Sequence, residues 1–108
     1  RQTQGLEHSY QSYPCLFQPE VISKTTLPRI NVLRNTWMER LFEAGVSTRP
    51  ATHAVHMLSF YQNKYQLAPD DYFNARVAND CSVSLPLFPG MSENEQAFVI
   101  DCVLKIKF

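Results

Sequence analysis

The sequence contains little glycine, carries no net charge and lacks a long apolar run. Its three glycines, Gly5, Gly45 and Gly90, lie far apart, so no glycine-rich phosphate-binding loop can form. Ten basic residues balance ten acidic ones, which argues against a broad electrostatic surface for nucleic acid or anionic membrane. No stretch approaches the roughly 20 apolar residues that span a bilayer, and no signal-peptide pattern is present. We therefore expect neither a nucleic-acid partner nor a membrane partner.

Cysteine is also scarce, with Cys15, Cys81 and Cys102 widely spaced and odd in number. This usage predicts reduced, buried thiols in a cytoplasmic protein. The hydrophobic fraction of 44% and charged fraction of 19% are typical of an ordinary globular domain. Because the sequence begins with Arg1 and a polar stretch, we expect residues 1–108 to be a single domain cut from a longer protein.

The clearest helix signal lies between Thr26 and Gly45. Thr26 can cap the helix, and Pro28 suits its first turn, where a missing N–H costs little. Apolar residues recur at helical spacing, with arginines and glutamates such as Arg34 mostly on the other face. The apolar residues are Ile30, Leu33, Trp37, Met38, Leu41 and Phe42. Gly45 supplies a left-handed stop.

A second helix is predicted over residues 97–106. Ser92 and Glu95 fit a capping box ahead of it, in which the serine bonds forward and the glutamate reaches back. Its apolar side is predicted to carry Phe98, Val99, Cys102, Val103 and Ile106.

The remaining elements are shorter. Strands are predicted over residues 5–17, where Pro14 indicates an edge, over 46–50, and over 82–88. In the last strand Val83, Leu85 and Leu87 would share one face, opposite Ser82, Ser84 and Pro86. Residues 53–65 are ambiguous and can form a short helix, and Pro69-Asp70-Asp71 predicts the start of a helix that ends at Asn79-Asp80. This order predicts an α+β fold: a small mixed or antiparallel sheet with helices packed on one face.

The densest collection of chemical groups lies in residues 45–56, with Arg49, His53 and His56. On a helix the two histidines would share a face, as a metal pair requires. No third ligand is recognisable, so we expect no metal; one histidine in the core and one exposed is the alternative. Arg49 precedes a proline and can present its guanidinium to a carboxylate or phosphate, or form a surface salt bridge. Tyr61 and Tyr65 either line the same site or simply pack.

No residue of the chain is expected to be catalytic. No strand-to-helix elbow surrounds a serine, as nucleophilic hydrolysis would require. The lysines lie in sequence surroundings that indicate solvation, not the desolvated setting that activates an amine.

Several ordered motifs resemble those of a known family. They are residues 34–46, Thr48-Arg49-Pro50 leading to Val55-His56 and Tyr61, Asp71-Tyr72-Phe73-Asn74-Ala75, residues 84–89 and residues 92–96. In this order and spacing, from His8 to the last helix, the chain resembles the C-terminal domain of the DegT/DnrJ/StrS family. These are sugar aminotransferases that depend on pyridoxal phosphate (PLP) and have the aspartate-aminotransferase fold type.

The resemblance implies transamination from an amino acid, usually glutamate, through PLP to a keto-sugar attached to a nucleotide. In the family the Schiff-base lysine, the aspartate that pairs the pyridinium and the phosphate-binding residues belong to a large N-terminal domain. The resemblance therefore implies that this chain alone is inactive, that its parent is a homodimer, and that His56, then Arg49 and Tyr61, contact substrate. The sequence departs from the family pattern at Tyr72-Phe73, where Phe-Pro is common, at Arg76, where an acidic residue is common, and at Pro14.

Two other functions fit the residues. The chain can be a stand-alone α+β module that binds an anionic ligand through Arg49 and the two histidines. It can also have a purely structural role in subunit packing.

Overall fold

A computed structural model describes Gly5, Glu7 and residues 9–108. Within these residues the elements are β1 (Tyr13–Leu16), α1 (Leu27–Glu43), a 3-10 helix (Val55–Met57), α2 (Ser59–Tyr65), α3 (Phe73–Cys81), β2 (Ser82–Leu85) and α4 (Glu93–Lys105). β1 and β2 form an antiparallel pair. The predicted α+β class, with a small antiparallel sheet, is confirmed.

Helix α1 is the central element of the core, and its ends follow from sequence. Pro28 lies in its first turn, and Leu27, Ile30, Trp37 and Leu41 are buried on one face. At the other end Gly45 has φ +89°, a conformation that costs glycine little. The amides of Gly45 and Val46 bond back to the carbonyls of Phe42 and Leu41 at 2.9 and 2.8 Å, which is the Schellman arrangement.

Two predictions for α1 were wrong. Thr26 stands at the N-cap position, but its hydroxyl makes no cap bond; it donates to the Val21 carbonyl at 2.9 Å instead. Arg34, expected on the polar face, is only 4% exposed. The helix buries a wider face than its apolar stripe because α3 packs beside it, and burial lowers the pKa of the Arg34 guanidinium.

The backbone carbonyls at the junction between α3 and β2 accept hydrogen bonds from distant parts of the chain. Helix α3 runs directly into β2, and the last carbonyls of a helix lack partners inside it. Asn31 Nδ2 donates to the carbonyl of Asp80 at 2.8 Å, and Arg34 Nη1 donates to that of Ser82 at 3.1 Å. The amide of Phe17 donates to the Cys81 carbonyl at 2.8 Å. Helix α1 and the end of β1 are thereby fixed to one short stretch of backbone.

The sheet is narrower than predicted. Of the strand expected over residues 5–17, positions 6 and 8 lie outside the described residues, and the described ones form a strand only over Tyr13–Leu16. Pro14 lies opposite Ser84. The Ser84 amide donates to the Arg49 carbonyl at 2.7 Å, and the Ser84 carbonyl accepts from the Arg49 amide at 3.4 Å. Because both backbone groups of Ser84 face Arg49, its opposite neighbour Pro14 needs no N–H. The predicted strand at 46–50 was wrong, since only this single bridge forms there.

Strand β2 is buried on both faces. Val83 is fully buried as expected, but Ser82 and Ser84 are also only 8% and 6% exposed. The face opposite Val83, on which the two serines were predicted, is therefore also buried, next to Arg34 of α1 and the segment around Arg49. Ser82 Oγ accepts a bond from the Ala51 amide at 3.2 Å. The strand ends at Leu85, before Pro86.

The middle of the chain is helical, with different bounds from those expected. The ambiguous residues 53–65 form the 3-10 helix and α2. Residues 69–72 form a turn, in which Asp71 Oδ2 accepts from the Ala68 amide at 2.7 Å. The helix predicted to start at Pro69 therefore begins later, at Phe73.

The predicted capping box of α4 is confirmed. Ser92 Oγ accepts from the Glu95 amide at 3.3 Å, while Glu95 Oε2 accepts from the Ser92 amide at 2.8 Å. The helix consequently begins at Glu93, four residues before the predicted start. Trp37 Nε1 donates to the Ile106 carbonyl at 3.1 Å, which fixes the end of α4 to α1. Phe98, expected on the packed side, is half exposed.

None of the helices in the described part of the chain is both long and apolar enough to cross a bilayer.

The unequal burial of two leucines predicts unequal losses of stability. Leu41 is fully buried in α1, whereas Leu104 on α4 is 75% exposed. Leu41→Ala is expected to lower the free energy of unfolding by about 2–5 kcal/mol, because it leaves a cavity. The matched change Leu104→Ala should cost no more than about 0.5 kcal/mol. Urea denaturation of residues 1–108 alone, in which Leu104 is exposed, measures both losses, and equal losses would contradict this packing.

The capping box predicts a local pH dependence. The Ser92 amide, and then its hydroxyl, lower the pKa of Glu95 from its ordinary value of 4.5. A carboxylate with a lower pKa in the folded state stabilises the fold above its unfolded pKa; this stabilisation disappears as the pH falls through the folded-state pKa. Ser92→Ala should move the Glu95 pKa upward, as measured by carboxyl ¹³C NMR. Asn94→Ala, outside the box, should leave it unchanged.

Candidate functional site

An open recess of about 420 Å³ lies between the 3-10 helix, α2 and the turn before α3. Its walls are aromatic and aliphatic side chains with a few polar tips. The lining residues are Val55, His56, Tyr61, Tyr65, Leu67 and Tyr72. Apolar walls with a few convergent polar groups are typical of small-molecule sites. We call this the tyrosine recess.

His56 is held firmly at one side of the tyrosine recess. His56 is only 8% exposed, and its Nε2 atom is 3.0 Å from the Pro69 carbonyl oxygen. A carbonyl only accepts, so Nε2 carries the proton, and in the neutral ring Nδ1 keeps a lone pair. Tyr72 packs edge-on against the ring, with centroids 5.2 Å apart. His56 therefore has a fixed orientation and one nitrogen outside this anchoring bond.

The tyrosines provide stacking surfaces. Tyr61 and Tyr65 lie one turn apart on α2, with ring centroids 6.3 Å apart and planes 14° from parallel. The Lys64 ammonium lies 5.4 Å from the Tyr65 ring centroid and 5.5 Å from that of Phe60, within cation–π range. Such rings bind a flat or sugar ring by contact and offer hydroxyls for hydrogen bonds.

The structure brings two of the three predicted site residues together. His56 and Tyr61 line the tyrosine recess, while Arg49 does not. Arg49 is exposed and is fixed through its backbone bridge to Ser84. Among the described residues its guanidinium forms no ion pair, so the alternative of a surface salt bridge is not seen here.

The two histidines do not form a pair on one helix face. The 3-10 helix begins at Val55, so His53 precedes it and is exposed, while His56 is buried. This is the alternative arrangement, with one histidine in the core and one exposed. No cluster of three or more potential metal ligands occurs within the described residues.

The thiols of Cys15 and Cys81 are not activated for chemistry. These two and Cys102 are all free. Burial raises the pKa of Cys15, and burial followed by the nearby Asp80 carboxylate raises that of Cys81. A raised pKa keeps the thiol protonated and poorly nucleophilic.

Sequence reasoning missed Tyr72 and Leu67 as members of the site. Tyr72 was noted as part of a family-like motif and as a departure from the family pattern, but not as a site residue, yet it packs on His56. The signal in the sequence was an aromatic residue directly after the polar stretch Pro69-Asp70-Asp71. Because Pro69-Asp70-Asp71 was predicted as the start of a helix, the sequence did not indicate that the chain turns back toward His56 at this point.

Comparison with known proteins supplies the class. The model of the DegT/DnrJ/EryC1/StrS aminotransferase family matches residues 8–104. The chain is also 24% identical over 101 residues to the uncharacterized protein MJ1066 of Methanocaldococcus jannaschii, a match that covers 94% of this chain and 24% of that protein. The chain thus spans about a quarter of the length of this relative. It belongs to the DegT/DnrJ/EryC1/StrS aminotransferase family.

The lysines of this chain do not fit the family's cofactor. PLP is held through an amine activated by desolvation or by nearby charge. Lys24, Lys64, Lys105 and Lys107 are all exposed. Lys24 pairs with Asp70, and the hydrogen bond and charge of Asp101 raise the pKa of Lys105. Neither pairing provides the amine that the cofactor requires, and no step through PLP is assigned to these residues.

The bond to Pro69 predicts different behaviour for two histidine rings. The Nε2 proton of His56 should exchange slowly with water because it is buried and bonded, while the ring protons of exposed His53 exchange fast. ¹⁵N NMR of ring-labelled histidine measures this difference, and His56→Gln assigns the signal. Fast exchange at both rings would contradict the arrangement.

Proposed function

We propose that this chain is the C-terminal domain of a PLP-dependent aminotransferase and forms one wall of its substrate cleft. The full-length enzyme transfers an amino group from an amino acid, glutamate, to a keto-sugar linked to a nucleotide. The observation that carries the proposal is the tyrosine recess with its anchored His56, in a chain that belongs to an aminotransferase family. Bound PLP supplies the electron sink for the amino transfer.

The tyrosine recess suits the sugar-nucleotide substrate. Tyr61 and Tyr65 give flat surfaces for a ring, and Nδ1 of His56 is left by the bond to Pro69 for a hydrogen bond with a sugar hydroxyl. Arg49, exposed and outside the recess, offers a guanidinium for a phosphate or carboxylate group of a substrate. Binding and orientation, not proton transfer to a cofactor, are the roles we assign to these residues.

An exposed apolar groove favours the proposal that this chain is part of a larger protein. A groove of about 390 Å³ runs between β1, the end of β2 and α4, and most of its lining is apolar. Leu87, Ile100 and Leu104 are exposed along it, and contiguous exposed apolar surface marks contacts with other protein. We propose that the remaining part of a longer, cytoplasmic and homodimeric enzyme covers this groove and carries the cofactor lysine.

Activity of the full-length protein tests the substrate. With PLP and glutamate, it should form 2-oxoglutarate and an amino-sugar from one member of a panel of keto-sugars linked to nucleoside diphosphates. His56→Gln should lower kcat/KM about tenfold, the effect of losing roughly one hydrogen bond. His53→Gln is the matched control and should change nothing. Turnover of no keto-sugar in the panel, or equal losses in both variants, would contradict the proposal.

The isolated chain provides a second test. Residues 1–108 mixed with PLP should show only the absorbance of free cofactor, while the full-length protein shows that of lysine-bound cofactor. Lysine-bound PLP in the isolated chain would overturn the assignment of the cofactor to the rest of the parent. Tight binding of an amino acid alone to the chain, measured by calorimetry, would favour an independent ligand-binding module instead.

A further inference from the structure

The two segments that meet at His56 are both held by side chains of α3. One segment is the chain leading into the 3-10 helix, which carries His56 itself. The other is the turn that provides the Pro69 carbonyl for its ring. Arg76, Asn79 and Asp80 of α3 reach both, and none of the three lines the tyrosine recess.

Arg76 holds the turn. Its Nη1 donates to Asp70 Oδ1 at 2.5 Å, and Asp70 directly follows the residue whose carbonyl bonds the His56 ring. Lys24 approaches the same carboxylate at 3.7 Å, but it is far more exposed than Arg76. Because a partly shielded pair is screened less than an exposed one, Arg76 is the stronger anchor of Asp70.

Asn79 holds the other segment. Its Oδ1 accepts from the amide of Ala54 at 3.0 Å, and Ala54 lies two residues before His56. Ala54 is buried, so its amide would lack a partner without Asn79, and an unpaired buried donor is costly. The bond therefore holds the backbone of Ala54, the residue directly before the 3-10 helix, against α3.

Asp80 joins the two anchors. Its Oδ1 accepts from Asn79 Nδ2 at 2.8 Å, and its Oδ2 accepts from Arg76 Nε at 3.4 Å. Arg76 and Asp80 are four residues apart on α3, the spacing at which helical side chains meet. One carboxylate thus fixes both the guanidinium and the amide.

We propose that Arg76 and Asn79 are positioning residues for His56. Together they hold the ring from two directions, Asn79 through the backbone before it and Arg76 through the turn that accepts its Nε2 proton. Their effect on substrate rests on the proposed function of the tyrosine recess; their effect on the ring does not.

Hydrogen exchange at the His56 ring tests the positioning directly. The full-length protein is labelled with ¹⁵N in its histidine rings. Arg76→Gln and Asn79→Ala are each expected to speed exchange of the His56 Nε2 proton at least tenfold. The double variant should gain less than the product of the two effects, because Asp80 bonds to both side chains and couples them. Arg76→Lys, which keeps the charge but not the planar fork, should restore part of the protection.

A matched control separates positioning from general destabilisation. Arg29→Gln removes a different arginine–carboxylate pair, with Glu20, on a helix away from the tyrosine recess. It should leave His56 exchange unchanged, and circular dichroism should show all variants folded at the temperature of measurement. Unchanged His56 exchange in both Arg76→Gln and Asn79→Ala, or an equal increase in Arg29→Gln, would overturn the proposal.

Ligand affinity distinguishes failure of this proposal from failure of the proposed function. Calorimetry with UDP-glucose, dTDP-glucose and GDP-mannose as probes should show binding of at least one, weakened five- to tenfold in Arg76→Gln. If no probe binds the unaltered protein, the proposed substrate is wrong, while faster ring exchange in the variants still supports positioning. If a probe binds both proteins equally despite altered exchange, His56 orientation does not serve this ligand and that part of the proposal fails.

Discussion

The carbonyl groups at the junction of α3 and β2 are the points on which much of the structure depends. A helix that runs into a strand without a loop leaves its last carbonyls unpaired within the helix. Asn31, Arg34 and the Phe17 amide satisfy those of Asp80, Ser82 and Cys81 in turn. These bonds set the position of α3 relative to α1. Helix α3 in turn holds the two segments that meet at His56, the chain leading into the 3-10 helix and the turn at Pro69. The buried guanidinium of Arg34 donates to a backbone carbonyl here, and the nearby Asp80 carboxylate favours its charged form.

The parts of the fold that sequence predicted are those with local causes. Pro28 and Gly45 bracket α1, and Ser92 with Glu95 starts α4, because each signal acts within one helical turn. Several features that the sequence did not reveal have non-local causes. Arg34 and Ser84 are polar by composition yet buried, since their partners lie about 50 and 35 positions away in the sequence. A bridge at Arg49 alone, in place of a strand, likewise depends on β2 and not on the residues around it.

The site shows the same division. His56 and Tyr61 were identified because the family resemblance marks their places, and both lie in the tyrosine recess. Tyr72 joins them only because the turn at Pro69 returns to the histidine, and the sequence around that turn looked like a helix start. Arg49 was predicted with them from the same loop of the family pattern, but it does not line that recess. The lining of the recess therefore depends on contacts made across the turn as well as on closeness along the chain.

The bond between His56 and Pro69 also decides which atom of the imidazole can meet another molecule. Because Nε2 is engaged by the Pro69 carbonyl, only Nδ1 is left for a further hydrogen bond. A bond made at Nδ1 then needs no rotation of the ring and no rupture of the bond to Pro69. The direction in which His56 can bind is therefore set by the backbone turn at Pro69 before any ligand arrives.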